Sequence, residues 1–100
     1  MHRRVRRIVV PRGVAEKLVA KHQVQPAEVV EVFRNADSPP RIWYHERGHR
    51  PAENVYRALG RTDSGRCLWV LFVLKRDATA LVITAMDMSE RERRTYGRRS

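Results

Sequence analysis

Cysteine, lysine and acidic residues are scarce in this chain of 100 residues, and long apolar runs are missing from it. The single cysteine, Cys67, excludes an internal disulfide, and its place in the apolar run CLWVLFVL indicates a small core residue. No apolar run approaches the ~20 residues that cross a bilayer, and the apolar residues 8–10 are too few for the core of a signal peptide. We therefore expect a cytoplasmic protein that makes no contact with a membrane.

The shortage of acidic residues leaves the chain strongly basic. Lys plus Arg number 21 against 11 for Asp plus Glu, a formal net charge of +10, and only three of the basic residues are lysine. Arginine makes forked contacts with phosphate and stacks on bases. Solubility and an arginine-rich codon usage could account for part of this excess. On a single domain spanning residues 1–100, however, it indicates a polyanionic partner.

The first half of the chain predicts one strand and two helices. RRVRRIVV suggests a strand that Pro11 ends, and residues 14–22 have helical spacing. A second helix opens at Pro26, with Val29, Val30 and Phe33 as its apolar stripe. The two prolines of NADSPP stop that helix.

The second half predicts a sheet and a last helix. RIWYH, NVYRALGRT, CLWVLFVL and ALVITAM read as four strands of an antiparallel meander, with CLWVLFVL at its centre because it is apolar on both sides. Gly65 suits the tight turn DSGR. Ser89 and Glu92 match the capping box S-x-x-E, which opens a helix through Arg94 or Tyr96. The order β-α-α-β-β-β-β-α predicts an α+β domain whose helices lie on one side of the sheet.

The sequence offers no metal site and no cofactor fingerprint. No P-loop, dinucleotide-binding motif or G-x-S-x-G is present. The histidines lack the paired spacing of metal ligands; they are His2, His22, His45 and His49. We therefore expect chemistry, if any, from charged and aromatic side chains alone.

Cleavage of RNA without a metal needs few parts. The 2′-hydroxyl must lose a proton, the phosphorane charge must be held, and the 5′-oxygen must gain a proton. Arginine can hold the charge, and His, Lys, Tyr or Glu can move protons. The candidates are the strand pair Arg57 and Arg61, Arg66 after the turn, Lys21 and His22 at the end of the first helix, and Arg93, Arg94 and Tyr96 in the last helix.

Ordinary structural roles fit many of these residues as well. Lys21 and His22 could cap helix carbonyls, and Arg57 and Arg61 could be solvated positions on an exposed sheet face. Glu90 is spaced to pair with the arginines of the last helix. For the aromatic residues, we expect Tyr96 at the core edge with its hydroxyl in water, Trp69 in the core, and Trp43 and Tyr44 either in the core or on a base-stacking surface.

Three segments together resemble the BrnT family. They are KHQVQPAEVVEVF, YRALGRTDSGRCLWVLFV and VITAMDMSERERRTY, and the resemblance covers about residues 16–96. Members of this family are toxins of type II toxin–antitoxin pairs with a RelE-like fold. They are ribonucleases that shut down translation, and an acidic DNA-binding antitoxin wraps them. The resemblance thus implies a small RelE-like domain with two N-terminal helices packed on the sheet and a C-terminal helix. It also implies RNA, including ribosome-associated mRNA, and an antitoxin as partners, with oligomers formed through the antitoxin.

The resemblance also implies roles for the matched positions. Lys21 and His22 match the family's Lys-His pair, Arg61 its Gly-Arg turn, and Arg93, Arg94 and Tyr96 its terminal helix. The strand that ends in arginine in the family ends here in Met86, and the chain also lacks the family's aromatic-Asp opening. Strand alternation predicts that Met86 shares a face with Thr84, and Ile83 with Ala85.

Three functions remain open at this point. The first is a metal-independent endoribonuclease toxin, in which Lys21, His22, Arg61 and Tyr96 are catalytic and Arg57, Arg66, Arg93 and Arg94 bind phosphate. The second is a nucleic-acid-binding module that has lost its chemistry, with Met86 in place of the arginine. The third is a protein-interaction domain whose basic surface meets only an acidic partner. A ribbon-helix-helix or helix-turn-helix protein encoded beside this gene would favour the first.

Overall fold

The computed structural model describes residues 5–48, 50 and 53–97. They form an α+β fold in which five strands make one sheet. The strands are β1 (Arg7–Val9), β2 (Arg41–Glu46), β3 (Val55–Arg61), β4 (Cys67–Leu74) and β5 (Thr79–Asp87). The helices are α1 (Arg12–Lys17), which continues into a π-helical turn (Leu18–His22), then α2 (Pro26–Arg34) and α3 (Glu90–Gly97). In the described part of the chain, no helix is long and apolar enough to span a membrane.

The sheet is mixed, which corrects the expected antiparallel meander. Strands β2 to β5 are antiparallel neighbours as predicted, and β4 is the central strand in the order β1-β5-β4-β3-β2. β1 pairs in parallel with β5, so that Arg7 lies opposite Thr79. The helices carry the chain from β1 to β2 at the far edge, which leaves β1 beside the last strand. Alternation within β1 says nothing about the direction of its partner, so the sequence could not show this.

One face of the sheet is covered by α1, the π-helical turn and α2. The fully buried side chains of this core come from both layers, among them Leu18, Val24, Val29, Val32, Ala58, Leu68, Val70, Phe72 and Ala85. Gly60 lets α2 approach closely, because a Cβ there would lie 2.8 Å from Cγ1 of Val32. The predicted stripe of α2 is wrong at Val30, which is 37% exposed, while Val32 takes the buried position.

A β-bulge interrupts β5 where it pairs with β4. Thr84 lies opposite Leu71 and Val82 opposite Phe72, which leaves Ile83 as an extra residue. Ala85 is fully buried under the helices, whereas Ile83 is 42% exposed, so the prediction that these two share a face is wrong. An extra residue in one strand resets alternation, and a period-2 pattern cannot reveal it.

Helix α3 lies on the other side of the sheet, so the helices are not segregated to one face. The capping box is confirmed, because the Ser89 amide donates to Glu92 Oε1 at 2.8 Å and the Glu92 amide donates to Ser89 Oγ at 3.1 Å. Arg41, whose side chain lies on the face without α1 and α2, donates from Nη1 to the Thr95 carbonyl at 3.1 Å. Buried Met88 marks the bend between β5 and this helix.

Candidate nucleic-acid interface

The side of the sheet opposite α1 and α2, here called the open face, carries two of the five predicted arginines, Arg57 and Arg61. The predicted alternation of β3 is confirmed: Gly60 contacts α2, so Arg57, Leu59 and Arg61 lie on the open face. The register adds residues from three other strands, namely Arg41, Trp43, Cys67, Trp69, Leu71, Thr84 and Met86. Basic and aromatic side chains therefore share one sheet surface.

Three of these side chains form an arginine–tryptophan cluster, defined as Arg41, Trp43 and Arg57. The guanidinium carbon of Arg41 lies 5.2 Å from the Trp43 ring centroid, and that of Arg57 lies 5.4 Å away. Both distances are within the range of cation–π attraction. Arg57 lies directly across from Trp43 in the β2–β3 pair, and its buried Nε has no hydrogen-bond partner among the described residues. The indole ring thus contacts two guanidinium groups, of which that of Arg41 also donates to the Thr95 carbonyl of α3.

Arg41 was missing from the candidates predicted from the sequence. The signal was present in RIWYH, because residues two apart on a strand share a face and Arg41 therefore had to lie beside Trp43. The cluster also bears on the two alternatives for Trp43, a core position or a base-stacking surface. Its ring is half-buried and already in contact with guanidinium groups. Trp69 is half-buried on the open face as well, and not in the core as expected.

Tyr96 fastens α3 to the open face. Its hydroxyl lies 3.2 Å from the carbonyl oxygen of Ser38 and 3.1 Å from that of Pro39, so it is not left in water as expected. The guanidinium of Arg61 lies 6.0 Å from the ring centroid. Burial raises the pKa of Tyr96 above its ordinary value, although the positive charge of Arg61 acts in the opposite direction. The phenol therefore stays protonated at neutral pH.

The arginines of α3 are exposed. Arg94 Nη1 lies 3.5 Å from Glu90 Oε1, an ion pair one turn apart on a solvated surface. Such a pair contributes little to stability, and the guanidinium is accessible to an anion. Arg93 is likewise exposed, and its charge lies near Asp87. Met86 is half-buried, opposite Trp69, at the end of β5 from which α3 departs.

Arg66 is engaged in a clamp that joins four segments of the chain. Its Nε and Nη2 donate to the Asp87 carboxylate, at 2.8 and 3.2 Å. Nη1 donates to the Gln23 carbonyl and the Glu28 carboxylate, and Nη2 also donates to the His22 carbonyl. These contacts occupy all five N–H donors of the guanidinium. Phosphate could bind Arg66 only by displacing them, so the geometry favours a structural role.

Lys21 and His22 end the π-helical turn, which belongs to the layer on the other side of the sheet. The His22 carbonyl accepts from Arg66, and the following Gln23 has the left-handed φ of 55°. No hydrogen bond, ion pair or ring contact of the described residues joins Lys21 or the His22 imidazole to Arg61 or Tyr96. The structure thus brings Arg57, Arg61 and Tyr96 to one surface and leaves the Lys-His pair on the opposite layer.

His45 is considered in the sequence only as a metal ligand. It lies two residues beyond Trp43 on β2, at the irregularity where Glu46 pairs with Val55. Its Nε2 is 3.3 Å from Glu46 Oε1. The described residues contain no cluster of three side chains that could hold a metal ion, and His2 and His49 lie outside them.

No protein-family model matches the chain, and no curated protein matches it in sequence.

Proposed function

We propose that this protein is the toxin of a type II toxin–antitoxin pair, a RelE-like domain that binds RNA on its open face and cleaves it without a metal. The arginine–tryptophan cluster is the observation that carries the proposal. It presents two guanidinium groups on an otherwise half-apolar surface, in a chain of net charge +10. The resemblance of three segments to the BrnT family supplies the toxin assignment and the inhibition of translation.

Residues of the open face are assigned to separate steps of the cleavage reaction. Arg57 and Arg61 hold the charge that develops on the phosphorane, the task for which preorganised cations are most effective. Tyr96, whose pKa is raised, acts as a proton donor to the leaving 5′-oxygen and not as a base. Water takes the proton of the 2′-hydroxyl, because His45 lies about four residues, or roughly 13 Å, along β2 from Arg41, which contacts α3. In this scheme the backbone carbonyl of His22 supports the clamp around Arg66, and Lys21 has no step assigned to it.

The partner of the toxin is an acidic DNA-binding antitoxin. Exposed arginines on α3 and on the open face give such a protein a large basic surface to cover, and α3 itself has no fully buried residue. An antitoxin bound there would shield the same guanidinium groups that hold RNA. Its binding and RNA binding would then exclude one another.

A second candidate function is RNA binding without cleavage. Two observations favour it. Met86 occupies the strand position at which the related pattern has arginine, and the Tyr96 hydroxyl is committed to backbone carbonyls. Loss of one cation that stabilises the transition state would raise the activation free energy by about 2–4 kcal/mol and so slow the reaction.

Cleavage of RNA by the purified protein in excess EDTA separates the two candidates. The wild type is compared with Met86→Arg, Arg57→Ala and Arg12→Ala. Arg12 begins α1, away from the cluster, and its removal changes the net charge equally. Products with 2′,3′-cyclic phosphate ends from the wild type and from Arg12→Ala, and their loss in Arg57→Ala, support the toxin. Cleavage by Met86→Arg alone supports the binding module. Equal cleavage by all four proteins would overturn the assignment of the site.

A further inference from the structure

The open face continues beyond the arginine–tryptophan cluster into a cavity of about 520 Å³. Its floor is formed by Val55, Leu71, Val73 and Ile83. Volumes of this order are typical of sites that hold small organic groups. The bulge in β5 supplies part of this floor, because the extra residue Ile83 lines the cavity and is 42% exposed. Bulges frequently re-aim a side chain toward a functional surface.

The rim of this apolar cavity carries charges of both signs. Arg47 and Arg50 offer donors, and Glu46 and Glu53 offer acceptors. Glu53 is held in place by Lys75, whose Nζ lies 3.0 Å from Glu53 Oε2. A flat ring with apolar faces and a polar edge fits such a site, since the floor takes its face and the rim takes its edge. Nucleobases have this form, and glutamate and arginine are among the side chains that read base edges.

The cavity adjoins the cluster directly. Leu71 is the β4 residue opposite Arg57, and Val55 precedes Arg57 by two positions on the same face of β3. Neighbouring strands lie about 5 Å apart, and residues two apart on a strand are separated by about 7 Å. A nucleotide whose phosphate rests on Arg57 thus has its base within reach of the cavity. The Nε of Arg57 is buried, so a phosphate would contact the terminal nitrogens of its guanidinium.

We propose that the apolar cavity binds one nucleobase of single-stranded RNA whose phosphate lies on Arg57. The base must be unpaired, because a base within a duplex cannot lay its face on a protein floor. This rests on the proposed function and deepens it. It makes the protein a reader of exposed bases, and not of the phosphate backbone alone.

Binding of two labelled oligomers by fluorescence anisotropy tests the proposal. One is a ten-nucleotide oligouridine, and the other is an abasic sugar–phosphate oligomer of the same length and charge. The wild type is expected to bind oligouridine about tenfold more tightly, in line with the effect of one base–side-chain stacking contact. Ile83→Ser should lose most of this preference while its affinity for the abasic oligomer stays unchanged. Val30→Ser, which alters a comparably exposed valine on α2, should behave as the wild type.

Each other outcome has a definite meaning. Equal affinity of the wild type for both oligomers would overturn the base site and leave RNA binding by the arginines intact. A preference that survives in Ile83→Ser would place base recognition elsewhere and overturn the cavity. Absence of binding to either oligomer at low salt would overturn the proposed function itself.

Discussion

The same strands form both faces of the sheet, but the two faces have different roles. Under α1 and α2, side chains such as Val70, Phe72 and Ala85 are completely buried. On the open face, their chain neighbours Trp69, Leu71 and Met86 remain half-exposed among arginines. Because side chains alternate along a strand, one face can supply stability while the other keeps accessible charge. A substitution under α1 and α2 should therefore affect mainly stability, and one at an exposed charge of the open face mainly RNA binding.

The largest difference between the faces is expected for two adjacent residues of β4. Phe72→Ala removes a ring that contacts Phe33 and Tyr56 at centroid distances of 5.2 and 6.1 Å, and should cost about 3–5 kcal/mol of unfolding free energy. Leu71→Ala, on the open face, should cost about 1–2 kcal/mol, because a half-exposed side chain loses less buried area. Urea unfolding followed by tryptophan fluorescence measures both. Equal losses would mean that the open face is packed as tightly as the other.

The next largest loss of unfolding free energy is expected when Arg66 is removed from its clamp at the end of the sheet. Arg66→Met leaves Glu28 and two backbone carbonyls without their donor, and should cost about 1–3 kcal/mol. Arg94→Met breaks only the exposed pair with Glu90 and should cost less than about 0.5 kcal/mol. The same unfolding measurement compares the two, and similar losses would show that Arg66 is no more than a surface charge.

The clamp also predicts how stability depends on pH. The hydrogen bond from Arg66 holds the pKa of Asp87 below its ordinary value of 3.8. A depressed pKa in the folded state adds stability that is present above pH 3.8 and is lost as the pH falls through the lower value. Arg66→Met should therefore flatten the acid limb of the stability curve. An unchanged limb would contradict the contact.

A smaller effect, on binding, distinguishes the open face from the helical layer. Arg57→Ala should weaken binding to single-stranded RNA by roughly threefold to tenfold, since it removes one charge-assisted contact. It should also reduce the slope of log affinity against log salt by about 0.7. Arg12→Ala should change neither quantity appreciably. If both variants lowered affinity and slope alike, binding would depend on net charge and not on the cluster.

The smallest effect concerns the attachment of α3. Tyr96→Phe removes the hydroxyl from the carbonyls of Ser38 and Pro39 and should cost about 0.5–1.5 kcal/mol. Because burial raises the pKa of Tyr96 above 10.0, the tyrosine adds stability below pH 10.0 that is lost as the pH rises through the folded value. Alkaline unfolding curves should accordingly be flatter for the variant. Identical curves would contradict the burial of this hydroxyl.

Local patterns in the sequence predicted the elements well. Alternation in NVYRALGRT placed Arg57 and Arg61 on one face, the capping box located the start of α3, and Gly65 has the positive φ of 92° that its turn requires. Each of these depends on residues a few positions apart. The resemblance to the BrnT family remains a prediction, as do the roles it implies.

Long-range features escaped the same reasoning. The bulge at Ile83, the parallel pairing of β1 and the side on which α3 lies depend on partners distant in the chain. So does the use of Arg66, which is predicted to bind phosphate because it follows the turn beside Arg57 and Arg61, whereas contacts with Asp87 and Glu28 occupy it. Sequence spacing cannot distinguish an arginine that neutralises the fold's own carboxylates from one left for a ligand.

The parallel pairing of β1 with β5 has a consequence for synthesis of the protein. Arg7 is synthesised well before its partner Thr79, because three helical segments and three strands lie between them in the chain. At roughly 5–20 residues per second, the first strand waits several seconds for the strand that it must join. During that time Ile8 and its neighbours have no sheet to cover them, and the nascent chain is open to misassociation. Completion of the sheet is thus a late event, and in a chain that stops before β5 the first strand has no strand to pair with.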